Sequence, residues 1–475
     1  MTTQLPEPKR ASRGRRRPRA VLVLLALALA STVTAAAGAD ASPRASANAD
    51  SAMIQRIVDK IETPAIPKRD YVVTDFGAVG DGSADARPAI MAAIKRASQD
   101  GGGRVILPAG RWFSKGPIHL ASRIDLHVSE GATLLFSPAA KDYLPVVRTR
   151  WEGTELFGYS PLIYANDVHD VAITGKGVID GNEQHEFHSW TGKQQGDQLR
   201  LRQMGFTGVP VEQRIFGAGT YLRPSAVQFF HATRVLLQDY TIHNSPFWIN
   251  HLVYTDDAIV RNLVVDSHRA NNDGVDVDSS THVLIEKNTF RTGDDSVVVK
   301  SGRDLDGRTI GRPSEYIVVR NNDMGGEDGI ALGSEMSGDI RHVYFTDNVL
   351  RTGASAIRFK GNLDRGGTVE HIRVRNMTVE SFDTFIWFQL NYPGELGGNF
   401  PPVYRDIVFS DITVEAAGQV LEVHGSQAAP LRDVLLKDIV VKKADKPFVL
   451  ENVERLRFDN LMINGDRVDG DLDWK

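Results

Sequence analysis

Three carboxylates set the chemical question: Asp273 and the adjacent pair Asp294 and Asp295. Cleaving a glycosidic bond takes one protonated carboxyl to hand a proton to the leaving oxygen. It also takes one carboxylate to activate water or to attack the sugar. Crowded acids push at least one pKa upward, which keeps a proton available at working pH. Asp-Gly and Gly-Asp-Asp are also ordinary strand-entry turns, so residue type alone decides nothing. The question is whether the chain stacks these acids.

A repeated register predicts that it does. Asp273-Gly-Val-Asp-Val aligns with Asp295-Ser-Val-Val-Val, Asp328-Gly-Ile-Ala-Leu and Ser355-Ala-Ile-Arg-Phe, at offsets of 22, 33 and 27 residues. Coils of a parallel solenoid with loops of unequal length explain such offsets. Positions three and five (Val275/Val277, Val297/Val299, Ile330/Leu332, Ile357/Phe359) should face the core. Positions four and six (Asp276/Asp278, Val298/Lys300, Ala331/Gly333, Arg358/Lys360) should then face outward. Asp273 and Asp295 share position one and should lie about 4.8 Å apart on neighbouring coils. Arg358 and Lys360 would reach the same groove and could hold a uronic acid carboxylate.

The surrounding chain supports a solenoid. Short apolar runs recur from residue 171 onward, among them Val283–Ile285, Ile317–Val319 and Val343–Phe345, and many end on a polar corner such as Asn288, Asn322 or Asn348. These amides could bond up the stack or serve only as turn residues. Two-residue hairpin signals are scarce, which argues against a sandwich. Asp85 to Ala97 has helical spacing, with Asp85 as the expected N-cap and Gly101 as the stop. The expected fold is therefore all-β: a single-stranded, right-handed parallel β-helix capped by an N-terminal helix.

Residues 1–41 read as a signal peptide: a basic start from Lys9 to Arg19, an apolar run Ala20–Ala30, then small residues. The apolar run is too short to span a bilayer. Residues 42–69 read as a partly disordered lead-in, and 70–475 as the catalytic β-helix. Residues 1–41 carry seven basic and two acidic side chains, so without them the formal charge moves from −5 to −10. That excludes a nucleic-acid binder of the basic-patch type. With no cysteine, the chain has no disulfide, and the core alone must supply its stability. The expectation is a secreted, extracellular monomer, exported by the Sec or twin-arginine route, with no membrane contact after cleavage.

Asn271-Asn-Asp-Gly-Val-Asp, Thr292-Gly-Asp-Asp-Ser, Gly333-Ser-Glu-Met-Ser-Gly and Ile357-Arg-Phe-Lys, in that order, resemble the motif set of the polygalacturonase family, glycoside hydrolase family 28. The likeness extends to Tyr221-Leu-Arg-Pro-Ser, Asn244-Ser-Pro-Phe-Trp and Asp75-Phe-Gly-Ala-Val-Gly-Asp-Gly and covers roughly residues 70–470. It implies a pectin-lyase-like solenoid and hydrolysis of a pectic polysaccharide without metal or cofactor. It implies Asp294 as general acid, Asp273 and Asp295 holding the attacking water, inversion, and Arg358 and Lys360 as a substrate clamp. An inverting pair is expected to be separated by roughly 6.5–9.5 Å.

One departure stands out. Where the family carries Gly-His-Gly, this chain reads Gly325-Gly-Glu-Asp-Gly, with Glu327 at the expected His position. A protonated Glu327 replacing the His donor, a rhamnogalacturonan or other pectic side-structure substrate, or impaired activity would each explain it. His268 and Asn271 complete the expected substrate contacts. Residues 181–222, with Trp190, Arg200 and Arg202, form a long insertion that could wall off one end of the groove. A calcium-dependent lyase using Asp273, Asp276 and Asp278, or a non-catalytic glycan-binding β-helix, are the competing readings.

Overall fold

The computed structural model describes residues 43–475, with side chains from Ala49 onward, so the expected signal peptide lies outside the described residues. From Asp50 to Lys475 the chain forms one compact unit. Its strands belong almost entirely to one continuous sheet wound into a right-handed parallel β-helix. One coil runs Val275–Asp278, Thr281–Glu286 and Thr289–Thr292, and the next runs Val297–Lys300, Ser314–Arg320 and Asp323–Gly325. They pair in parallel, Val275 beside Val297, Val283 beside Ile317, and Phe290 beside Met324. Each coil thus presents three faces to one shared core.

The register read from the sequence is the observed one. Val297 pairs with Ile330 and Ile330 with Ile357, carrying Ala331 onto Arg358 and Asp328 onto Ser355. Positions three and five enter the main core cluster on all four coils. Burying these β-branched and aromatic side chains contributes roughly 1.5–3 kcal/mol each.

The corner asparagines do form a ladder. Lys287, Asn321 and Asp347 take left-handed φ values of 58°, 55° and 60°, and the amide that follows each one turns into the stack. Asn288 Nδ2 donates to Asn322 Oδ1 at 2.9 Å, and Asn322 Nδ2 donates to Asn348 Oδ1 at 2.9 Å. Asn322 Oδ1 also accepts the Asn288 backbone N–H at 2.9 Å. Replacing Asn322 with Ala strands several buried donors and acceptors at once, each costing about 1–3 kcal/mol. We expect a loss of about 3 kcal/mol in urea unfolding. A change within 0.5 kcal/mol would mean that the amides only shape turns.

The ends of the solenoid are closed differently. At the start lies helix α2 (Arg87–Gln99); helix α1 is the preceding Pro43–Lys60. Ala89, Ile90, Ala93, Ile94 and Ala97 of α2 join the main core, as a cap should. The expected N-cap needs correction: Ala86 is the N-cap residue and makes no side-chain cap bond. Asp85 instead accepts the N–H of Arg87 and that of Lys115, both at 3.0 Å, tying the helix start to the neighbouring coil. At the far end, Asp466–Trp474 pairs antiparallel with Val453–Ile463 and covers that strand edge.

The lead-in carries a helix that the sequence reading did not expect. Residues 42–69, expected as a partly disordered lead-in, hold helix α1, and Ile54, Ile57 and Ile61 recur at helical spacing along it and just beyond its end. They pack on Ile259, Leu284, Val318 and Tyr344, outward residues of one lateral face. An Ala-rich polar composition hid that apolar stripe.

Candidate active site

The acids sit where the groove-facing strands begin. Ile249 N–H donates to Asp273 O, Gly274 N–H to Asp295 O, and Ser296 N–H to Asp328 O, each at 2.9 Å. This backbone ladder places Asp273, Asp295 and Asp328 one above another. It needs Gly274, because a Cβ there would lie 2.4 Å from Ser296 O. The result brings carboxylate oxygens of Asp273, Asp294 and Asp295 within 4.8 Å of one another. This is the one group among the described residues with the spacing to gather a cation.

Depth separates the three. Asp273 and Asp295 are buried, whereas Asp294 is half-buried at the mouth. Asp294 is steered by the Asp295 N–H, which donates to its Oδ1 at 3.0 Å, and by Asn271 Nδ2, 3.5 Å from its Oδ2. Asn271 Oδ1 in turn accepts from Arg223 Nη2 at 2.6 Å. Burial, then the charges of Asp294, Asp276 and Asp295, holds the Asp273 carboxyl well above the usual range. Asp276, in the strand that follows, is fully buried and is pushed up by that burial against the pull of Lys300. Asp295 is pushed up to about 8 by burial and by Asp328 and Asp294, against the pull of Lys360. Lys300 opposes the shift of Asp273, and Lys360 and Lys300 that of Asp295, favouring the ionised form that activation of a water requires.

The two expected clamp cations are occupied. Lys360 Nζ donates to Asp295 Oδ1 and Oδ2 at 2.8 and 2.9 Å and lies 2.9 Å from Asp328 Oδ2. Arg358 Nη1 donates to Asp328 Oδ2 at 3.0 Å and its Nη2 to Gln389 Oε1 at 2.6 Å, while its guanidinium stacks 4.0 Å from the Trp387 ring. Burial would raise Asp328, but Lys360 and Arg358 outweigh it and keep that carboxylate charged. Asp328 shares position one of the register with Asp273 and Asp295.

Glu327, by contrast, is exposed, and its carboxyl is raised by burial of part of its surface and by Asp294 and Asp328. Its backbone N–H donates to Asp294 O at 3.1 Å, so it adjoins the acid pair. His268 does not join the cluster: its side chain is 67% exposed and bonds Asp266 Oδ1 at 2.7 Å. Asp278 is committed to Arg150 at 3.0 Å and lies 3.5 Å from His251. That pairing weakens the calcium reading for Asp276 and Asp278.

Behind the acids lies a network missed in the sequence. Lys300, 4.6 Å from the Trp248 ring centroid, contacts Glu335 at 3.2 Å. Arg303 contacts the same Glu335 at 3.0 Å, and Arg365 contacts Asp304 at 2.5 Å. Burial opposes the charge on Lys300, but Glu335, Asp273, Asp276 and Asp295 hold it positive. Of this network, the sequence offers Glu335, inside the family-like Gly333-Ser-Glu, and Lys300, at an outward register position.

A buried carboxylate cluster on the outer face of a β-helix is the equipment of a glycosidase, and the comparisons agree. Residues 216–460 match the family described as Glycosyl hydrolases family 28, and residues 71–134 match Rhamnogalacturonase A/epimerase, pectate lyase-like. The exopolygalacturonase structure from Thermotoga maritima superposes with a TM-score of 0.85 at 40% identity, covering 90% of this chain and 100% of that one. The "Probable polygalacturonase" of Vitis vinifera is 29% identical over 84% of this chain and 81% of its own length. The endo-polygalacturonase of Pectobacterium carotovorum is 25% identical over 78% of this chain and 87% of its own. The chain belongs to glycosyl hydrolase family 28. It is a polygalacturonase-type enzyme, and its reaction is hydrolysis of an O-glycosyl bond.

Proposed function

We propose that this enzyme hydrolyses α-glycosidic bonds of a pectic polysaccharide with three aspartates. Asp294 protonates the leaving oxygen, and Asp273 and Asp295 hold and activate the attacking water. The observation that carries this reading is the depth order of the cluster: Asp294 at the mouth, with Asp273 and Asp295 beneath it. Water held by the deeper pair would attack the face opposite the departing oxygen, which inverts the anomeric centre. Export from the cell through residues 1–41, and action as a monomer, belong to the same proposal.

One observation favours a second reading. One oxygen from each of the three carboxyls lies within 4.8 Å of the others, a crowding that also suits retaining enzymes, whose two carboxyl groups are roughly 5–5.5 Å apart. Retention would make one buried aspartate a nucleophile. We favour inversion because Lys360 bonds both oxygens of Asp295, which lowers its nucleophilicity while leaving it able to orient water.

The test is product analysis on polygalacturonate and rhamnogalacturonan side by side, with and without a chelator. We expect new reducing ends from polygalacturonate, unaffected by chelation. Release from rhamnogalacturonan alone would assign Glu327 to a different pectic backbone. No release from either would remove the pectic assignment.

A further inference from the structure

The segment Tyr221-Leu-Arg-Pro-Ser leads into the strand Val227–Gln238, and its Arg223 is completely buried. The guanidinium uses all three nitrogens. Nε donates to Gln194 Oε1 at 2.9 Å. Nη1 donates to Pro246 O at 3.0 Å and to Ala270 O at 2.9 Å, and Nη2 to Asn271 Oδ1 at 2.6 Å. All four acceptors are neutral, which is unusual company for a buried cation. Burial lowers its pKa to about 10, against the pull of Glu152, Asp273 and Asp294, so it stays charged at neutral pH. Glu152 is already held by Arg202 at 2.6 Å and by Gln198 at 2.8 Å. Asp273 is the deep acid whose carboxyl is held well above the usual range. The acid left to face this charge is Asp294.

Asn271 joins the two. It takes a left-handed φ of 60°, and its Oδ1 is committed to the guanidinium. The other end of the amide is its donor end, so Nδ2 turns toward Asp294 Oδ2, 3.5 Å away. An N–H bond to a carboxylate is stronger than one to a neutral carboxyl, and catalytic hydrogen bonds that are long at rest tighten as charge develops. The relay therefore favours the anion that Asp294 becomes once its proton has left. The other charges facing Asp294 offer less. Asp273, Asp295 and Glu327 repel that anion, and Lys360 is already bonded to Asp295 and Asp328. Glu327 stands where a histidine could have donated to the acid.

We propose that Arg223 is a positioning residue for the general acid: through Asn271 it steers the Asp294 carboxyl and supplies the positive charge that supports its anion. The guanidinium does not touch substrate. It fixes which end of the Asn271 amide meets the acid, and it sets that donor before the reaction begins, so no reorganisation is needed as the proton leaves. The support comes from beneath, on the side away from Glu327, which explains how the chain dispenses with an imidazole there. This rests on the assignment of Asp294 above and adds how that acid is held.

The experiment measures kcat, KM and the pH profile on polygalacturonate for Arg223→Gln, alone and combined with Asp294→Asn. Alone, the substitution should lower kcat about 10- to 100-fold, the worth of one charged hydrogen bond, with KM changed less than about 2-fold. The alkaline limb of kcat should move up by about half a pH unit or more, because the acid gives up its proton less readily without the cation. In the Asp294→Asn background the same substitution should cost less than about 3-fold, since the two residues act as a unit. Arg223→Lys keeps the charge and should leave the alkaline limb near that of the wild type while losing part of the rate. An equal loss in both backgrounds, or an alkaline limb that does not move, would overturn the inference. Should circular dichroism show Arg223→Gln unfolded, Asn271→Gly decides, because glycine accepts the left-handed conformation and removes only the relay. Its loss should likewise vanish beside Asp294→Asn, and a loss of equal size there would overturn the inference. Full turnover by Asp294→Asn alone would instead remove the acid assignment on which this rests.

Discussion

Replacing Asp294 with Asn lowers kcat by about 10²–10⁴-fold, the usual worth of a positioned general acid, with little change in KM. The substitution keeps the shape of the side chain. An Asn oxygen can still accept the Asp295 N–H that steers Asp294 Oδ1 at 3.0 Å. Only the transferable proton is removed. Because Asp294 is half-buried at the mouth, the variant should unfold at the temperature of the parent. Steady-state rates on oligogalacturonide check this, and full turnover would sink the acid assignment.

Lys360→Met has the second large effect, on stability as well as turnover. Lys360 bonds both oxygens of Asp295 and contacts Asp328, and all three side chains are at most 7% exposed. Removing the cation leaves two buried carboxylates facing each other, and breaking a buried pair costs about 3–5 kcal/mol. The pH dependence has a definite sign. Asp295 is pushed up to about 8 from an ordinary 3.8, so the folded state binds more protons than the unfolded state between those values. Its contribution to stability is full below pH 4 and is lost as pH rises through about 8. Without Lys360, both acids must either take protons or repel, so the variant's deficit should be larger at pH 8 than at pH 5. Urea unfolding of both proteins at the two pH values measures it, and a smaller deficit at pH 8 would contradict the account.

The groove-facing register was legible because its cause is simple. Side chains alternate on a strand, and positions three and five are Val, Ile, Leu or Phe on all four coils. Once those positions are fixed inward, Asp276, Lys300, Arg358 and Lys360 must point outward, as observed. The asparagine ladder was legible for the same reason, since a repeat places like beside like. What escaped was set by partners far away in sequence. Arg150 meets Asp278, and Arg202 of the insertion meets Glu152, fifty residues earlier in the chain. No periodicity announces such a pair.

The clamp shows the limit most clearly. Spacing pointed Arg358 and Lys360 into the groove but could not reveal that Asp328 sits between them, fully buried, and accepts from both. Glu327 occupies the expected His position but lies exposed at the edge. The unusual electrostatics belong to its neighbour. Helix α1 was missed because three isoleucines in an Ala-rich, polar stretch carry little hydrophobicity until a flat lateral face is present to receive them.

The most direct test of the central claim follows the first product by proton NMR. Trigalacturonate is mixed with enough enzyme to complete hydrolysis before the anomers equilibrate. The account predicts that the newly formed reducing end appears first as the β-anomer and drifts toward the α/β mixture. A new end that appears first as the α-anomer would make one aspartate a nucleophile. An unsaturated product would replace hydrolysis by elimination. Either result would contradict water held by Asp273 and Asp295 and a proton given by Asp294.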